Sequence, residues 1–381
     1  MNSIEKNMQS NHTQYVAPLF ESFTLGNLTL SSRIVMAPMA RGFSPNGVPG
    51  TEVADYYRRR AEQRVGLIIT ENVSIPHSSA NQDPANSPDF GSEAARAGWK
   101  HVVDEVHRVG GKIMPQLIHA GIARENFPQP DGAAPSIGPS GLDVNGEVKG
   151  EAMTVQQIQE VVQAFAEAAV QAKELGFDGI ELHGAHGYLI DQFLWETTNR
   201  REDEYGGSIA NRTRFAVEVV EACRRAVGPD FPIVFRFSQW KYPVYTAKLA
   251  NNAEELAEVL KPLADAGVDI FHASTRRFWE QAFEGSPLSL AGWAKQITDK
   301  AVITVGSVGL KQDFTEFFAS GADAEQQGSV SILAERLQNH EFDLIAIGRA
   351  LLADPEWAAK IHDGRLDELK PFHAEAVGKL Y

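Results

Sequence analysis

The chain has 381 residues, of which 43% are apolar, and its 35 Lys and Arg against 50 Asp and Glu leave a formal net charge of −15. That length exceeds a common single domain but suits one α/β barrel with insertions. The acidic balance excludes a broad basic surface for nucleic acid or anionic membrane, though not a small anionic ligand held by a few local arginines.

In chain order, residues 1–17 read as a polar tail with no apolar run of signal-peptide or membrane-spanning length. Residues 18–381 read as a single domain, and cytoplasm is the expected location. Phe20 to Ser32 has the pattern of a short hairpin turning at Gly26-Asn27, placed to plug the bottom of a barrel. Short apolar runs then recur at Ile34–Met39, Gly66–Asn72, Lys112–His119, Gly179–His183, Ile233–Ser238, Asp269–Ser274, Ala301–Val308 and Leu344–Arg349. Each precedes loop and helical pattern. Thr154 and Gln157 stand at capping-box spacing before a helix with apolar positions Ile158, Val161, Val162, Phe165 and Ala169, which stops at Gly176. The lone Cys223 falls in the helical pattern Phe215 to Val227 and reads as a buried small side chain; it leaves neither an internal disulfide nor a cysteine-ligated iron–sulfur cluster. Eight strand-and-helix units predict a closed (β/α)8 TIM barrel. The connection from Ala120 to Met153, rich in Pro and Gly and with a turn signal at Asn145-Gly146, predicts a long capping loop after the third strand.

In such a barrel, chemistry collects at the C-terminal ends of the strands, and polar residues gather there. The fourth run ends in His183-Gly184-Ala185-His186-Gly187-Tyr188. With a helix starting near Ala185, His186 lies one turn from His183. Two neutral imidazoles can grip an oxyanion and a phenol can supply a proton, as carbonyl or enolate chemistry requires. By itself the pair reads equally as metal ligands or core histidines. Gly306-Ser307 and Gly348-Arg349, ending the last two runs, combine close backbone approach with a guanidinium and predict a phosphate site. Gln116 and Arg236 are polar residues in apolar strands. They read either as a hydrogen-bonded network of the barrel or as partners of a polar heterocycle.

The chain resembles the Old Yellow Enzyme family of FMN-dependent ene reductases. The matching segments are Arg33-Ile-Val-Met-Ala-Pro-Met39, Leu67-Ile-Ile-Thr-Glu71, Gln116-Leu-Ile-His-Ala-Gly121, the run from His183 to Phe215, and Ile347-Gly-Arg-Ala-Leu-Leu-Ala-Asp-Pro355. The resemblance runs from about Pro18 to Trp357 and implies non-covalent FMN over the top of the barrel. Ala37, Pro38, Met39, Ala40 and Asn72 would border the flavin, with Gln116 and Arg236 at its polar edge. Gly306, Ser307, Gly348 and Arg349 would hold the phosphate. His183 and His186 match the pair that binds the substrate's carbonyl oxygen, and Tyr188 matches the proton donor. NADH or NADPH would reduce the flavin and leave. An electron-poor alkene, such as an α,β-unsaturated carbonyl compound, would then be reduced by a ping-pong mechanism. The alternative on the same scaffold is a nitroester or nitroaromatic reductase, or an NAD(P)H oxidase. No metal, nucleic acid or membrane partner is expected, and the protein reads as a monomer or homo-oligomer.

Three departures from the family pattern bear on the pocket. Ala40 stands where the family often has Thr or Cys, removing a flavin contact that tunes the potential. Ile118, read as a substrate-binding position, replaces a common Trp and would widen the pocket, and Ile122 replaces a common Arg.

Overall fold

The computed structural model describes residues 15–310 and 329–381. Eight parallel strands close a barrel: β1 (Ile34–Met36), β2 (Leu67–Ser74), β3 (Ile113–Ile118), β4 (Ile180–His186), β5 (Ile233–Lys241), β6 (Ile270–Ser274), β7 (Ala301–Val305) and β8 (Leu344–Ile347). β8 pairs with β1, with Ile345 opposite Ile34 and Ile347 opposite Met36, so the sheet has no free edge. The outer helices are α1 (Thr51–Ala61), α2 (Glu93–Arg108), α3 (Val155–Glu174), α4 (Ile209–Val227), α5 (Ala253–Ala266), α6 (Leu290–Thr298), α7 (Ser329–Gln338) and α8 (Trp357–Asp363).

The expected local signals hold. The Thr154 hydroxyl accepts from Gln157 N at 3.2 Å, and Gln157 Oε1 accepts from Thr154 N at 2.9 Å, closing the capping box of α3. Gly176, at φ 89°, lets the chain reverse after the helix. Cys223 is fully buried on α4, and burial pushes its thiol up to about 12, so it is packing and not a nucleophile.

The hairpin forms at Phe23–Leu25 and Leu28–Leu30, with Phe23 opposite Leu30. Phe23, Leu28 and Leu30 pack in one cluster with the barrel-lining Val35, Leu67, Ile69, Met114, Val234, Ile270 and Ile303. That is the layered barrel interior, sealed at one end by the hairpin.

The connection after β3 carries the two-residue strands Ile137–Gly138 and Glu151–Ala152. Its tip turns at Asp143–Glu147, where Gly146 N bonds to Asp143 O at 2.9 Å. The tip reaches the turn after β4, since Val144 Cγ1 would lie 3.2 Å from a Cβ added at Gly187.

Several strands end elsewhere than the apolar runs imply, β7 and β8 among them, which stop at Val305 and Ile347. β1 stops at Met36, and residues 37–42 continue as loop, anchored by Ala37 N to Ile347 O at 2.9 Å. β4 runs on to His186 and β5 to Lys241. Both extensions lie at the candidate site.

Candidate active site

A cavity of about 500 Å³ opens at the C-terminal ends of the strands, within the range of small-ligand sites. Its lining includes Ala37, Pro38, Met39, Ala40, His186, Tyr188, Arg236, Gly306, Ser307, Gly348 and Arg349. Residues from five strand ends, far apart in sequence, thus meet at one opening. Asn72, Gln116 and His183 are buried beside it and do not line it. His183 stands opposite the lining residue Arg236, while Asn72 pairs with Gln116 and Gln116 with Glu181 on the neighbouring strands. Ile118 is also buried, opposite Ser74, and does not line the cavity.

The His183–Tyr188 segment differs from the helical reading. No helix begins at Ala185. β4 continues to His186, and the short helix Leu189–Leu194 starts only after Tyr188. In a plain strand, residues three apart face opposite sides. Here the register slips: Gly184 pairs with Phe237, but His186 pairs with Lys241. β5 therefore carries extra residues, a bulge at the site. Its Ser238 hydroxyl accepts from His186 N at 3.1 Å and donates to Trp240 O at 2.7 Å. His186 then turns left-handed, at φ 63°, followed by Gly187 at φ 85°. The result returns the His186 ring to the His183 side, with centroids 5.1 Å apart, and sets Tyr188 4.8 Å from His183. Trp240, protruding from the bulge, stacks on His186 at 4.2 Å and 17°.

A buried ion pair underlies this turn. Lys241 Nζ lies 2.7 Å from Asp191 Oδ1, both side chains fully buried, and Asp191 Oδ2 accepts from Gly187 N at 2.8 Å. Burial pulls both groups toward their neutral forms, raising the Asp191 carboxyl and lowering the Lys241 ammonium. Nothing in the spacing of Asp191 and Lys241 marks them as partners; only the extension of β5 brings them together.

Gln116 and Arg236 sit in the barrel network that was one of their two readings. Gln116 Nε2 donates to Glu181 Oε1 at 2.7 Å, and Glu181 Oε2 lies 2.6 Å from His272 Nδ1. Burial pushes the Glu181 carboxyl up, but His272, Arg236 and Gln116 outweigh it and hold it below the usual range. Arg236 donates from Nη2 to Ser274 Oγ at 3.3 Å, while its Nε is buried without a partner.

Burial, reinforced by the Arg236 charge, lowers both His183 and His186 well below the ordinary imidazole value. Both rings are neutral at neutral pH. Burial raises the Tyr188 phenol, partly countered by a bond from Gln82, so it stays protonated. Two neutral donors and a protonated phenol are the state needed to bind an oxyanion and deliver a proton.

Glu71 lies within β2 and holds the Ala40 loop. Its Oε2 accepts from Arg41 N at 2.8 Å and Gly42 N at 3.2 Å. Burial raises its carboxyl from 4.5 to about 7, against the pull of those two amides and the Arg41 charge. The native form therefore binds this proton more tightly than the unfolded chain. Stability from this group is full below its unfolded value and is lost as pH rises through about 7, on the order of 3 kcal/mol. Glu71→Gln is expected to remove that decline, seen as an unfolding midpoint that falls less than the wild type's between about pH 5 and about pH 8.

On the opposite side, Gly306 takes φ 149°, and a Cβ there would meet Thr275 Oγ1 at 2.6 Å. Only glycine fits this turn. Ser307 follows at φ 49°, and Arg349 Nη2 donates to its hydroxyl at 3.4 Å, tying the ends of β7 and β8. Gly348 caps the short helix Arg349–Ala353; a Cβ there would reach no closer than 3.5 Å to Met39 Sδ, leaving a shallow cradle against the Ala40 loop.

These features fit FMN. The cavity is long enough to join the Gly306–Arg349 end to the His186–Tyr188 end. Asn72 Nδ2 and Arg236 Nε are buried polar atoms with no protein partner, and Arg236 lines that space, where a polar ring edge would satisfy its free donor. Among the described residues, no group of three or more His, Cys, Asp or Glu is placed to hold a metal ion. No helix among them is long and apolar enough to cross a membrane.

The segment Ser274–Trp279 reads from sequence either as channel-lining through its aromatics or as a loop anchored by Phe278 and Trp279; here Ser274, Thr275 and Arg276 line the cavity while Phe278 is buried away from it. Trp240, Tyr242 and Tyr245, which the sequence reading missed, line it too. Ser274 was visible as the end of the sixth apolar run. Trp240 and the tyrosines lie beyond the expected end of the fifth, where apolar periodicity gives no sign of a bulge.

Comparison with known proteins agrees with this architecture. Residues 18–368 match the family model of the NADH:flavin oxidoreductase / NADH oxidase family. An NADH oxidase of Thermoanaerobacter brockii is 36% identical over 92% of this chain, which spans only 52% of that longer protein. An NADPH dehydrogenase of Clostridium acetobutylicum is 33% identical over 93% of this chain and 98% of its own length. The structure of morphinone reductase in complex with tetrahydroNAD superposes with a TM-score of 0.77 at 28% identity, covering 94% of this chain and 93% of that one. A matched family model over nearly the whole chain, an eight-stranded barrel and a flavin-compatible cavity lead to one conclusion: this chain belongs to the NADH:flavin oxidoreductase / NADH oxidase family, the Old Yellow Enzyme family, whose cofactor is FMN.

Proposed function

We propose that the protein takes hydride from NADH or NADPH and reduces the activated C=C bond of α,β-unsaturated carbonyl or related compounds, in two half-reactions that use one site in turn. The observation that carries this reading is the cluster of His183, His186 and Tyr188, with ring centroids about 5 Å apart at the cavity edge. FMN held there would supply the hydride-transfer chemistry of both half-reactions. Ala37, Pro38, Met39, Ala40, Asn72, Gln116 and Arg236 would surround its ring system, and Gly306, Ser307, Gly348 and Arg349 its phosphate.

The protein's own part is polarisation and proton delivery. As the β carbon of an enone is reduced, negative charge grows on its activating oxygen. His183 and His186, donating to that oxygen, bind the transition state more tightly than the neutral ground state. Burial raises the pKa of Tyr188 and so keeps its phenol protonated, ready to give that proton to the α carbon. Ile118 lies one layer behind the cavity wall and would act on pocket shape through its neighbours.

Tyr188→Phe tests the assignment. We expect enone-driven flavin reoxidation to slow by about 10²-fold or more, with flavin reduction by NAD(P)H retained. Equal loss in both half-reactions would overturn the role of Tyr188, and a purified protein that neither carries nor takes up flavin would overturn the whole reading. A second reading, oxidation of NADH by oxygen, draws support from the similarity to an enzyme named NADH oxidase. Single-turnover reoxidation by oxygen, an enone and a nitro compound, compared on one preparation, separates the two.

A further inference from the structure

Ser274 ends β6 and is buried. Among the described residues, its hydroxyl has two hydrogen-bond neighbours: Arg236 Nη2 at 3.3 Å and His186 Nε2 at 2.8 Å. A guanidinium has donors only, so Ser274 Oγ must accept from Arg236. The hydroxyl's one hydrogen then has a single acceptor within reach, His186 Nε2. Leaving that hydrogen unused while His186 also donated would strand a buried donor, a costly arrangement. The lowest-cost pattern runs one way: Arg236 to Ser274, then Ser274 to His186 Nε2.

We infer that Ser274 is a positioning residue that fixes His186 in the tautomer protonated at Nδ1, so that His186 faces the cavity as a one-way donor to a ligand oxygen. Three further observations support this. His186 lines the cavity, and with Nε2 turned to Ser274, Nδ1 is the ring nitrogen left for a ligand there. Trp240, stacked at 17°, holds the ring plane. Ser238 and Asp191 hold the backbone on either side of the ring, through His186 N and Gly187 N. Aligned donors in such a chain polarise one another, which strengthens the last one.

The consequence is a ligand class, resting on the function proposed above. With His186 fixed as a donor, the group it binds must be an acceptor-only oxygen: a ketone or aldehyde carbonyl, a nitro group or a phenolate. A group presenting N–H or NH₂ at that point would face a donor with no acceptor to meet it.

The test reads the tautomer directly, in the FMN-loaded enzyme labelled with ¹⁵N-histidine and free of substrate. His186→Ala serves only to assign the resonances. We expect the His186 spectrum to show a protonated Nδ1 and an acceptor Nε2. Ser274→Ala should give a mixture of tautomers, and Ser274→Thr, which keeps the hydroxyl, should restore the single form. A small phenol titrated into the same samples should bind at least about twofold more weakly to Ser274→Ala, since halving the competent tautomer halves apparent affinity. An Nε2-protonated ring, a doubly protonated ring, or a wild-type pattern surviving in Ser274→Ala would overturn the inference. The tautomer is read without turnover. A protonated Nδ1 in an enzyme that fails to reduce enones therefore defeats the proposed function and leaves the role of Ser274 standing.

Discussion

His186→Ala is expected to slow reduction of an enone by about 10²-fold at saturating NAD(P)H, the loss typical of one preorganised donor to a developing oxyanion. The reason lies in what the ring cannot share. His186 is neutral because burial and the Arg236 charge keep it so, and it is held between Trp240 and Ser274. Water entering the vacated space must be oriented during the reaction, whereas the imidazole is oriented beforehand. The loss should appear in the half-reaction with the alkene and not in flavin reduction, because only the former develops charge on this oxygen. Rapid-mixing measurement of each half-reaction checks it; a variant that loses both equally would mean that His186 serves the cofactor instead. His183→Ala should behave alike, and the double variant should lose less than the product of the two, since both rings serve one oxygen.

The second large effect is on stability. Lys241→Met should destabilise the protein by about 3–5 kcal/mol, because it leaves Asp191 as a buried carboxylate without its cation. Both side chains are fully buried and 2.7 Å apart, so neither can turn to solvent. Asp191 can shed its charge only by taking up a proton, which becomes harder as pH rises. The penalty should therefore grow with pH and be smaller in acid. Adding Asp191→Asn to Lys241→Met removes the stranded charge while keeping an acceptor for Gly187 N; this double variant should recover most of the loss. Urea unfolding midpoints of the wild type and both variants at two pH values measure all of these terms. A single variant within about 1 kcal/mol of wild type would show that the pair contributes no more than an exposed one. Because Gly187 N hangs on Asp191, the same single variant should also weaken phenol binding, linking this buried pair to the site above it.

Much of this was legible in one dimension. Eight apolar runs, a capping box at Thr154 and Gln157, and a hairpin pattern ahead of the first strand carry their own physical cause: periodic burial, satisfied helix ends and a two-residue turn. These signals act between residues close in sequence, and each appears where expected. The residues grouped at the cavity were legible too. Pro38, Ser307 and Arg349 stand at or near the ends of strand runs and Arg236 in the second half of one, and in a closed parallel barrel all such ends meet on one face.

What escaped was register. The motif His183–Tyr188 reads as a helix start because His-x-x-His spacing suits a helix, yet β4 continues through it. Whether two rings three residues apart share a side depends on extra residues in β5, some fifty positions later, and on the left-handed turn at His186. The stacking of Trp240, the pairing of Lys241 with Asp191 and the bond from Ser274 to His186 all follow from that one slip. The sequence by itself thus determined the barrel, the family likeness and which polar side chains stand at the strand ends, because these depend on local periodicity and chain order. Only the tertiary structure decided which face His186 presents, which of its nitrogens is occupied and what buried charge supports it. Those depend on partners brought across strands, and no periodicity within a single strand encodes its neighbour's bulge.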